Sequence, residues 1–147
     1  MKTALGKIIE KKGKHVHVTS PLRTVLDAVK TMNEKRVGAL LVVEGGQPVG
    51  IFTERDALVR VLSDEADPAT THVADVMTKN LAVVCPSTTI EQAMAICTEK
   101  RCRHLPVMEG DELLGVVSSG DLTHWIVKNQ SHEIDSLVRY IAGQYPG

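Results

Sequence analysis

Residues 34–44 read EKRVGALLVVE, and residues 99–109 read EKRCRHLPVME. The two stretches share a frame, and the same offset aligns residues 14–62 with residues 79–127 without a gap. Identical pairs at this offset include Pro21 and Pro86, Thr24 and Thr89, Gly50 and Gly115, and Asp56 and Asp121. Agreement at so many positions indicates an internal duplication, which predicts a fold built from two similar repeats.

Each copy shows the same predicted order of elements. One helix in each copy has apolar residues at helical spacing, namely Val25, Ala28, Val29 and Met32, and Ile90, Ala93, Met94 and Cys97. Thr24 and Thr89 are the predicted N-caps of these helices. Strands are predicted at 16–18, 39–43 and 49–53 and again at 82–84, 105–108 and 114–118, with second helices at 54–62 and 119–128. The pattern predicts an α/β (α+β) fold of two β-α-β-β-α repeats related by a pseudo-twofold axis.

The boundaries of the predicted units follow from composition. Repeat 1 spans residues 8–64 and repeat 2 spans residues 72–129, with a short segment before the first repeat. The polar, proline-containing stretch at residues 63–71 reads as the connector. Residues 130–147 carry apolar side chains at helical spacing, so we expect a C-terminal helix that packs on the body or on a second subunit.

Composition limits the classes of function. The chain has 147 residues, 43% of them hydrophobic, and a net charge of −1, which argues against broad nucleic-acid binding. The N-terminus lacks the apolar core of a signal peptide, and no apolar run is long enough to span a membrane. We therefore expect a cytoplasmic protein without a membrane partner. The three cysteines include no CxxC pair, so neither a disulfide framework nor a zinc site is expected, and Cys97 is expected to be buried.

Two short motifs carry a resemblance to a known family. GIFTERD at 50–56 and GVVSSGD at 115–121 share the pattern G-h-h-[TS]-x-x-D, where h is apolar, and DVMT at 75–78 precedes the second copy. Over about residues 8–128 the chain resembles a tandem CBS-domain protein (a Bateman module) of the stand-alone bacterial type. The resemblance implies a regulatory homodimer that is not an enzyme and acts on a separate, unknown protein partner. It also implies that an adenine nucleotide (AMP, ADP or ATP), S-adenosylmethionine or possibly NAD(H) binds between the repeats.

The hydroxyl–carboxylate pairs admit two interpretations. Thr53 with Asp56, and Ser118 with Asp121, each lie where a strand meets a helix. Such a pair can form a capping box that satisfies the first N–H groups of the helix. The same carboxylate can accept hydrogen bonds from a ribose diol, and the helix N-terminus favours anions. The two interpretations are compatible.

The resemblance implies an adenine slot in each repeat. In repeat 1 the slot involves His17, Val37 and Gly38, and in repeat 2 it involves Met77, Ala82, Cys102 and Arg103. Gly38 lets a backbone approach a ligand closely, and the alternative is that it only terminates a helix.

The basic residues differ between the copies. Arg36 and Arg101 are shared, and we interpret them as helix ends. Arg103 and His104 replace Gly38 and Ala39, and the resemblance implies that they reach the phosphate of a nucleotide held by Thr53 and Asp56. Arg55 adds charge to that site. Ser119 and Gly120 begin the helix of the Ser118–Asp121 site, so we expect two unequal sites.

Other functions remain open at this stage. The module could be a structural or interaction domain without a ligand, or an enzyme that uses bound NADH. His15 and His17 share one strand face, but no third ligand has a telling spacing, so no metal is expected. No Gly-rich phosphate loop is present.

Overall fold

The computed structural model describes residues 3–13 and 16–129. The C-terminal helix expected at residues 130–147, and His15, lie outside these residues. Elements of the first half are α1 (Leu5–Lys12), β1 (Val18–Thr19), α2 (Val25–Lys35), β2 (Ala39–Glu44), β3 (Gln47–Thr53) and α3 (Glu54–Asp56), which continues as a π-helix (Ala57–Leu62). Elements of the second half are α4 (Val73–Val76), α5 (Ile90–Lys100), β4 (His104–Glu109), β5 (Glu112–Ser118) and α6 (Ser119–Asn129).

The long helix of each repeat begins and ends as the sequence predicts. The side chain of Thr24 accepts a hydrogen bond from the N–H of Asp27, and Thr89 does the same for Gln92. Arg36 and Arg101 end these helices in the left-handed conformation, at φ 56° and 53°. Both arginines are therefore confirmed as helix ends.

The hairpins repeat in the same register. β2 pairs antiparallel with β3, and β4 pairs antiparallel with β5. Each hairpin has a register shift at the same place, between Val42 and Val43 in one copy and between Val107 and Met108 in the other. The duplication is thus visible even in the irregularities of the sheets.

The first strand differs between the copies. In repeat 1, β1 runs parallel to β2 and the N–H of Leu41 donates to the carbonyl of His17 over 3.0 Å. Repeat 2 retains only an isolated parallel bridge between Val84 and Val107. Pro106 occupies the position of Leu41 and has no N–H to donate, so the strand predicted at residues 82–84 is reduced to this bridge.

The second helix of repeat 1 departs from the expected α-helix. After one turn it continues as a π-helix in which the N–H of Ser63 donates to the carbonyl of Leu58 over 2.9 Å. Val61 alone of this segment is buried, whereas Leu58, Val59 and Leu62 are at least half exposed. The matching helix α6 in repeat 2 is regular over its full length.

The first helix in each half of the chain packs on the opposite repeat. α1 begins the first half, but its N–H groups at Leu5 and Gly6 donate to the carbonyls of Thr88 and Pro86 in repeat 2. α4 lies at the start of repeat 2, and its N–H groups at Val73 and Ala74 donate to the carbonyls of Arg23 and Pro21 in repeat 1. Since Arg23 and Pro21 are the repeat-1 equivalents of Thr88 and Pro86, the exchange is reciprocal. We call these two stretches, residues 3–12 and 71–78, the crossing segments.

The glycine of the G-h-h-[TS]-x-x-D motif makes this packing possible. A Cβ at Gly50 would lie 2.6 Å from the sulfur of Met77 and 2.9 Å from the carbonyl oxygen of Thr78. A Cβ at Gly115 would lie 2.9 Å from Cδ1 of Ile9. In each repeat, therefore, the glycine is where the crossing segment passes closest to the hairpin.

Two separate apolar cores result. Leu5, Ile8 and Ile9 of α1 join the core of repeat 2, and Val73 and Val76 of α4 join the core of repeat 1. This reciprocal arrangement confirms the predicted fold of two related α+β repeats. Over the described residues, every helix is too short or too polar to cross a lipid bilayer.

Candidate functional site

A cavity of about 410 Å³ lies where the two repeats face each other. Repeat 1 supplies most of its wall, through His17 before β1, Val37 and Gly38 before β2, and Ala39 and Leu41 on β2. Repeat 2 supplies His104 and Ser118, the paired residues at the open ends of β4 and β5, together with Val116. The cavity is therefore apolar on the repeat-1 side and polar on the repeat-2 side.

Gly38 brings α3 close to this wall. The helix of repeat 1 has already ended at Arg36, so Gly38 is not the helix stop that was the alternative interpretation. Its carbonyl accepts a hydrogen bond from the N–H of Glu54 over 3.0 Å, and a Cβ at Gly38 would lie 2.9 Å from Oε1 of Glu54. The glycine thus leaves room for the Glu54 side chain, and its close approach to a ligand stays a prediction.

The polar side of the cavity is a capping box joined to a lysine. Ser118 accepts from the N–H of Asp121 over 3.0 Å, and Oδ2 of Asp121 accepts from the N–H of Ser118 over 2.8 Å. The ammonium of Lys12, at the end of α1, donates to the same Oδ2 over 2.6 Å and to the carbonyl of Val116 over 2.9 Å. Lys12 lines the cavity, so a cation, a hydroxyl and a carboxylate meet at one end of it.

The electrostatics of Asp121 follow from these contacts. Burial by itself raises the pKa of the carboxyl group. The hydrogen bond and positive charge of Lys12 and the hydrogen bonds of Ser118 outweigh burial, so the pKa lies below its ordinary value. Asp121 is therefore an anion at neutral pH and can accept hydrogen bonds from a ligand.

The pKa of His104 is also lowered, and here burial is the largest cause. Burial lowers its pKa, the charges of Lys12 and Arg103 lower it further, and the negative charge of Asp121 offsets only part of the change. The imidazole is consequently neutral at pH 7, so His104 faces the cavity as an uncharged hydrogen-bonding group, and its contact with a phosphate stays a prediction. It can offer a ring N–H or a nitrogen lone pair to the cavity.

In the matching capping box of repeat 1, neighbouring groups already donate hydrogen bonds to both carboxylate oxygens of Asp56. Asp56 accepts from the N–H of Thr53 over 3.0 Å and from the hydroxyl of Thr78 over 3.1 Å, and Arg60 lies 3.9 Å away. The residue is only 6% exposed. The two carboxylates are therefore unequal, since Asp121 is more accessible than Asp56.

Both halves of the chain match the same family model, that of the CBS domain, over residues 12–63 and 73–128. The chain belongs to the CBS-domain family. Both capping boxes therefore lie within CBS domains.

The relatives are proteins of the same kind. The mitochondrial CBS domain-containing protein CBSX3 of Arabidopsis thaliana is 39% identical over 127 residues, which is 83% of this chain and 62% of the relative. A CBS-domain protein of known structure from Burkholderia ambifaria is 38% identical, with a TM-score of 0.81 over 87% of this chain and 96% of that one. A hexameric CBS-CP12 protein from bloom-forming cyanobacteria is 28% identical, with a TM-score of 0.74 over 98% and 84% of the two chains. This chain thus spans less than two thirds of the Arabidopsis relative.

The structure brings five of the predicted site residues together in the cavity of this CBS pair. They are His17, Val37, Gly38, His104 and Ser118. Asp121 adjoins the cavity through Lys12. Ser119 lies at the same junction, where its N–H donates to the carbonyl of Arg103 over 2.8 Å, and Gly120 follows in the first turn of α6.

The other predicted residues lie elsewhere. Met77 is buried in the core of repeat 1, whereas Ala82 and Cys102 pack on the core of repeat 2, and none of the three lines the described cavity. Arg103 is exposed. Thr53, Arg55 and Asp56 belong to the repeat-1 box and are absent from the lining of the described cavity.

Lys12 is the site residue that the sequence prediction missed. The offset that aligns the repeats does not align the crossing segments, which are related by a slightly larger shift. At that shift Thr3 matches Thr71, Leu5 matches Val73, Ile8 matches Val76, Ile9 matches Met77 and Lys11 matches Lys79. This weaker repeat relates residues 3–11 to residues 71–79, but Lys12 itself matches Asn80, so the repeat does not single out Lys12.

Metal ligation has no support in the described residues. Within residues 3–13 and 16–129, no group of three or more His, Cys, Asp or Glu side chains is arranged to hold an ion.

Proposed function

We propose that this CBS pair is a regulatory sensor, not an enzyme, that binds an adenine nucleotide between its repeats. The observation that carries the proposal is the cavity itself, where an apolar wall from repeat 1 faces Ser118, Asp121 and Lys12. Its volume of about 410 Å³ lies in the range of small-molecule sites, which combine apolar walls with a few polar groups.

The chemistry of the cavity matches the parts of a nucleotide. The apolar wall at Val37, Gly38 and Ala39 suits the flat face of adenine. Asp121 suits the ribose hydroxyls because a carboxylate accepts two hydrogen bonds. Lys12 suits a phosphate, since its ammonium can leave Asp121 and form a charge-assisted bond with the ligand.

A second, weaker nucleotide position is proposed at the repeat-1 box, where Arg55 and Arg103 would supply charge. Thr78 and Thr53 already occupy the carboxylate of Asp56. A ribose would have to displace the hydroxyl of Thr78 there, so we expect lower affinity than at Asp121.

Binding at the cavity would be transmitted to a separate protein partner. Lys12 belongs to α1, and α1 is docked on repeat 2, so ligand contact with Lys12 changes the contacts that hold α1 in place. A ligand shifts a conformational equilibrium only by its different affinity for the two states. The loss or gain of the Lys12–Asp121 contact supplies that difference.

We also propose that the chain forms homodimers through an apolar face on repeat 1. Five large apolar side chains on its two helices are at least 36% exposed, namely Leu26, Val29, Leu58, Val59 and Leu62. Apolar patches of this kind on monomers mark interaction sites. Self-association of the hexameric cyanobacterial relative supports the same proposal, and sedimentation of the full chain and of Leu58→Ser would test it.

The nucleotide proposal is tested by calorimetry with AMP, ADP, ATP, NAD and NADH. Ser118→Ala and Thr53→Ala each remove one helix N-cap, which costs about 1 kcal/mol of stability. Only Ser118 lines the cavity, so we expect Ser118→Ala to weaken binding about tenfold or more, and Thr53→Ala to leave the stronger site nearly unchanged. Equal effects of the two substitutions would contradict the assignment of the stronger site.

The phosphate contact is tested by comparing AMP with adenosine. Lys12→Met keeps the aliphatic stem and removes the charge, so it should weaken AMP about tenfold and leave adenosine nearly unchanged. Arg103→Ala should weaken the binding of AMP and leave that of adenosine unchanged only if the side chain of Arg103 reaches the phosphate.

A ligand-free interaction module is the second candidate, and the exposed apolar face on repeat 1 favours it. A nucleotide at 100 times its dissociation constant should stabilise the protein by about 2.7 kcal/mol. If none of the nucleotides raises the melting temperature, the interaction module becomes the better description. Turnover of NADH would instead indicate an enzyme.

A further inference from the structure

Two of the three cysteines lie together at the end of α5. Cys97 is in the last turn of the helix and is 9% exposed, and Cys102 follows the left-handed cap and is half-buried. The N–H of Cys102 donates to the carbonyl of Cys97 over 3.1 Å, which closes the helix end. Both side chains belong to the apolar cluster of repeat 2.

The two thiols also lie in one electrostatic environment. Burial, together with the neighbouring Cys102, raises the pKa of Cys97 to about 11. Residues three before and two after a helix terminus commonly touch through their side chains. The backbone bond and the shared apolar cluster therefore keep the two side chains in one small region of repeat 2.

The two positions have different chemical roles. Cys102 is half-buried and is the more exposed thiol of the two. An accessible thiol reacts more readily than one that is buried among apolar side chains. Cys97 is thus suited to resolve an oxidised Cys102 and not to react first.

We propose that Cys97 and Cys102 form a reversible disulfide when the protein meets a peroxide. The sulfur of Cys102 attacks one peroxide oxygen, the O–O bond breaks, and Cys102 becomes a sulfenic acid as one water is released. The sulfur of Cys97 then attacks the sulfenic sulfur. The S–S bond forms, the S–O bond breaks, and the thiol proton of Cys97 leaves with the hydroxide as a second water.

The disulfide would act on the junction that leads into β4. Cys102 is the repeat-2 equivalent of Val37, which lines the cavity, and it lies two residues before His104. Closure would fix the chain between α5 and β4 and restrain the backbone that carries Arg103 and His104. This modification does not depend on nucleotide binding, so the two proposals can fail separately.

The experiment uses the full chain with Cys85→Ser, because Cys85 is exposed and hydrogen bonds from Ser87 and Thr88 lower its pKa to about 7. The protein is treated with hydrogen peroxide, denatured without reductant and labelled with N-ethylmaleimide. We expect a loss of mass equal to two hydrogen atoms and no label, and full labelling after dithiothreitol. Trypsin cuts after Lys79, Lys100, Arg101 and Arg103, so the closed form should give peptide 80–100 joined to peptide 102–103.

Two variants in the same background, Cys97→Ala and Cys102→Ala, serve as controls. Each should lose the closed form, and Cys97→Ala should instead gain oxygen at Cys102. The proposal is overturned if the Cys85→Ser protein keeps both labels, if Cys102 is oxidised to sulfinic acid without closure, or if the sulfur atoms join separate chains.

Discussion

Replacing Leu5 with alanine tests whether α1 is part of the fold of repeat 2. Leu5 is fully buried, and it lies in the repeat-2 core together with Ile8 and Ile9. Because it precedes repeat 1 in the chain, a simple tandem arrangement would give it no role in repeat 2. The reciprocal packing of the crossing segments predicts a large loss of stability instead.

The magnitude follows from burial. Buried leucine-to-alanine substitutions cost about 2–5 kcal/mol, because transfer free energy is lost and a cavity remains. Leu5 lies on an eight-residue helix that can shift partly into the space, so we expect about 3 kcal/mol. With a urea dependence of about 2 kcal/mol/M, the unfolding midpoint should fall by about 1.5 M.

Urea denaturation monitored by circular dichroism measures this loss. Leu22→Ala is the matched control, because Leu22 is 77% exposed and surface substitutions usually change stability by less than about 0.5 kcal/mol. The slope of the transition should be the same in all three proteins. If Leu5→Ala costs no more than Leu22→Ala, α1 is not docked on repeat 2 and the exchange described above is wrong.

Two further predictions concern the same contacts. Gly50→Ala should destabilise the protein more than Gly115→Ala, as measured by urea midpoints, because a Cβ at Gly50 meets a backbone carbonyl at 2.9 Å whereas one at Gly115 meets a movable Ile9 methyl group. Lys12→Met should cost up to about 1 kcal/mol at pH 7, since the ion pair is partly exposed. Because the folded-state pKa of Asp121 is lowered, that difference should persist above the unfolded pKa of about 4 and vanish as the pH falls through the folded value. A difference that is independent of pH would contradict the ion pair.

Much of the fold was predictable because its signals are local. The N-caps at Thr24 and Thr89 and the apolar spacing of the two long helices each depend on neighbouring residues. The internal duplication then indicates the same order of helices and strands in both repeats. Val29 is the exception within this set, since it belongs to the apolar stripe of α2 and yet is 39% exposed. The apolar stripe of α2 is therefore wider than the face of the helix that packs against the rest of repeat 1.

The site was predictable only in part. The motifs identified Ser118, Asp121 and Gly38, but they gave no means of deciding which carboxylate was accessible. That difference depends on Thr78 beside Asp56 and Lys12 beside Asp121, and both neighbours come from the crossing segments. The neutral state of His104 likewise depends on burial and on charges supplied by separate elements.

The sequence by itself determined that the chain is two β-α-β-β-α repeats with paired capping boxes. The reason is that helical spacing and helix caps depend only on residues that are close together in the sequence. Only the tertiary structure decided that each leading segment docks on the opposite repeat. Either core offers an apolar surface to an amphipathic stretch, and both hairpins have the glycine that permits the close approach, so local sequence does not distinguish the two arrangements. That choice brings Lys12 to Asp121, and so it determines the character of the cavity between the repeats.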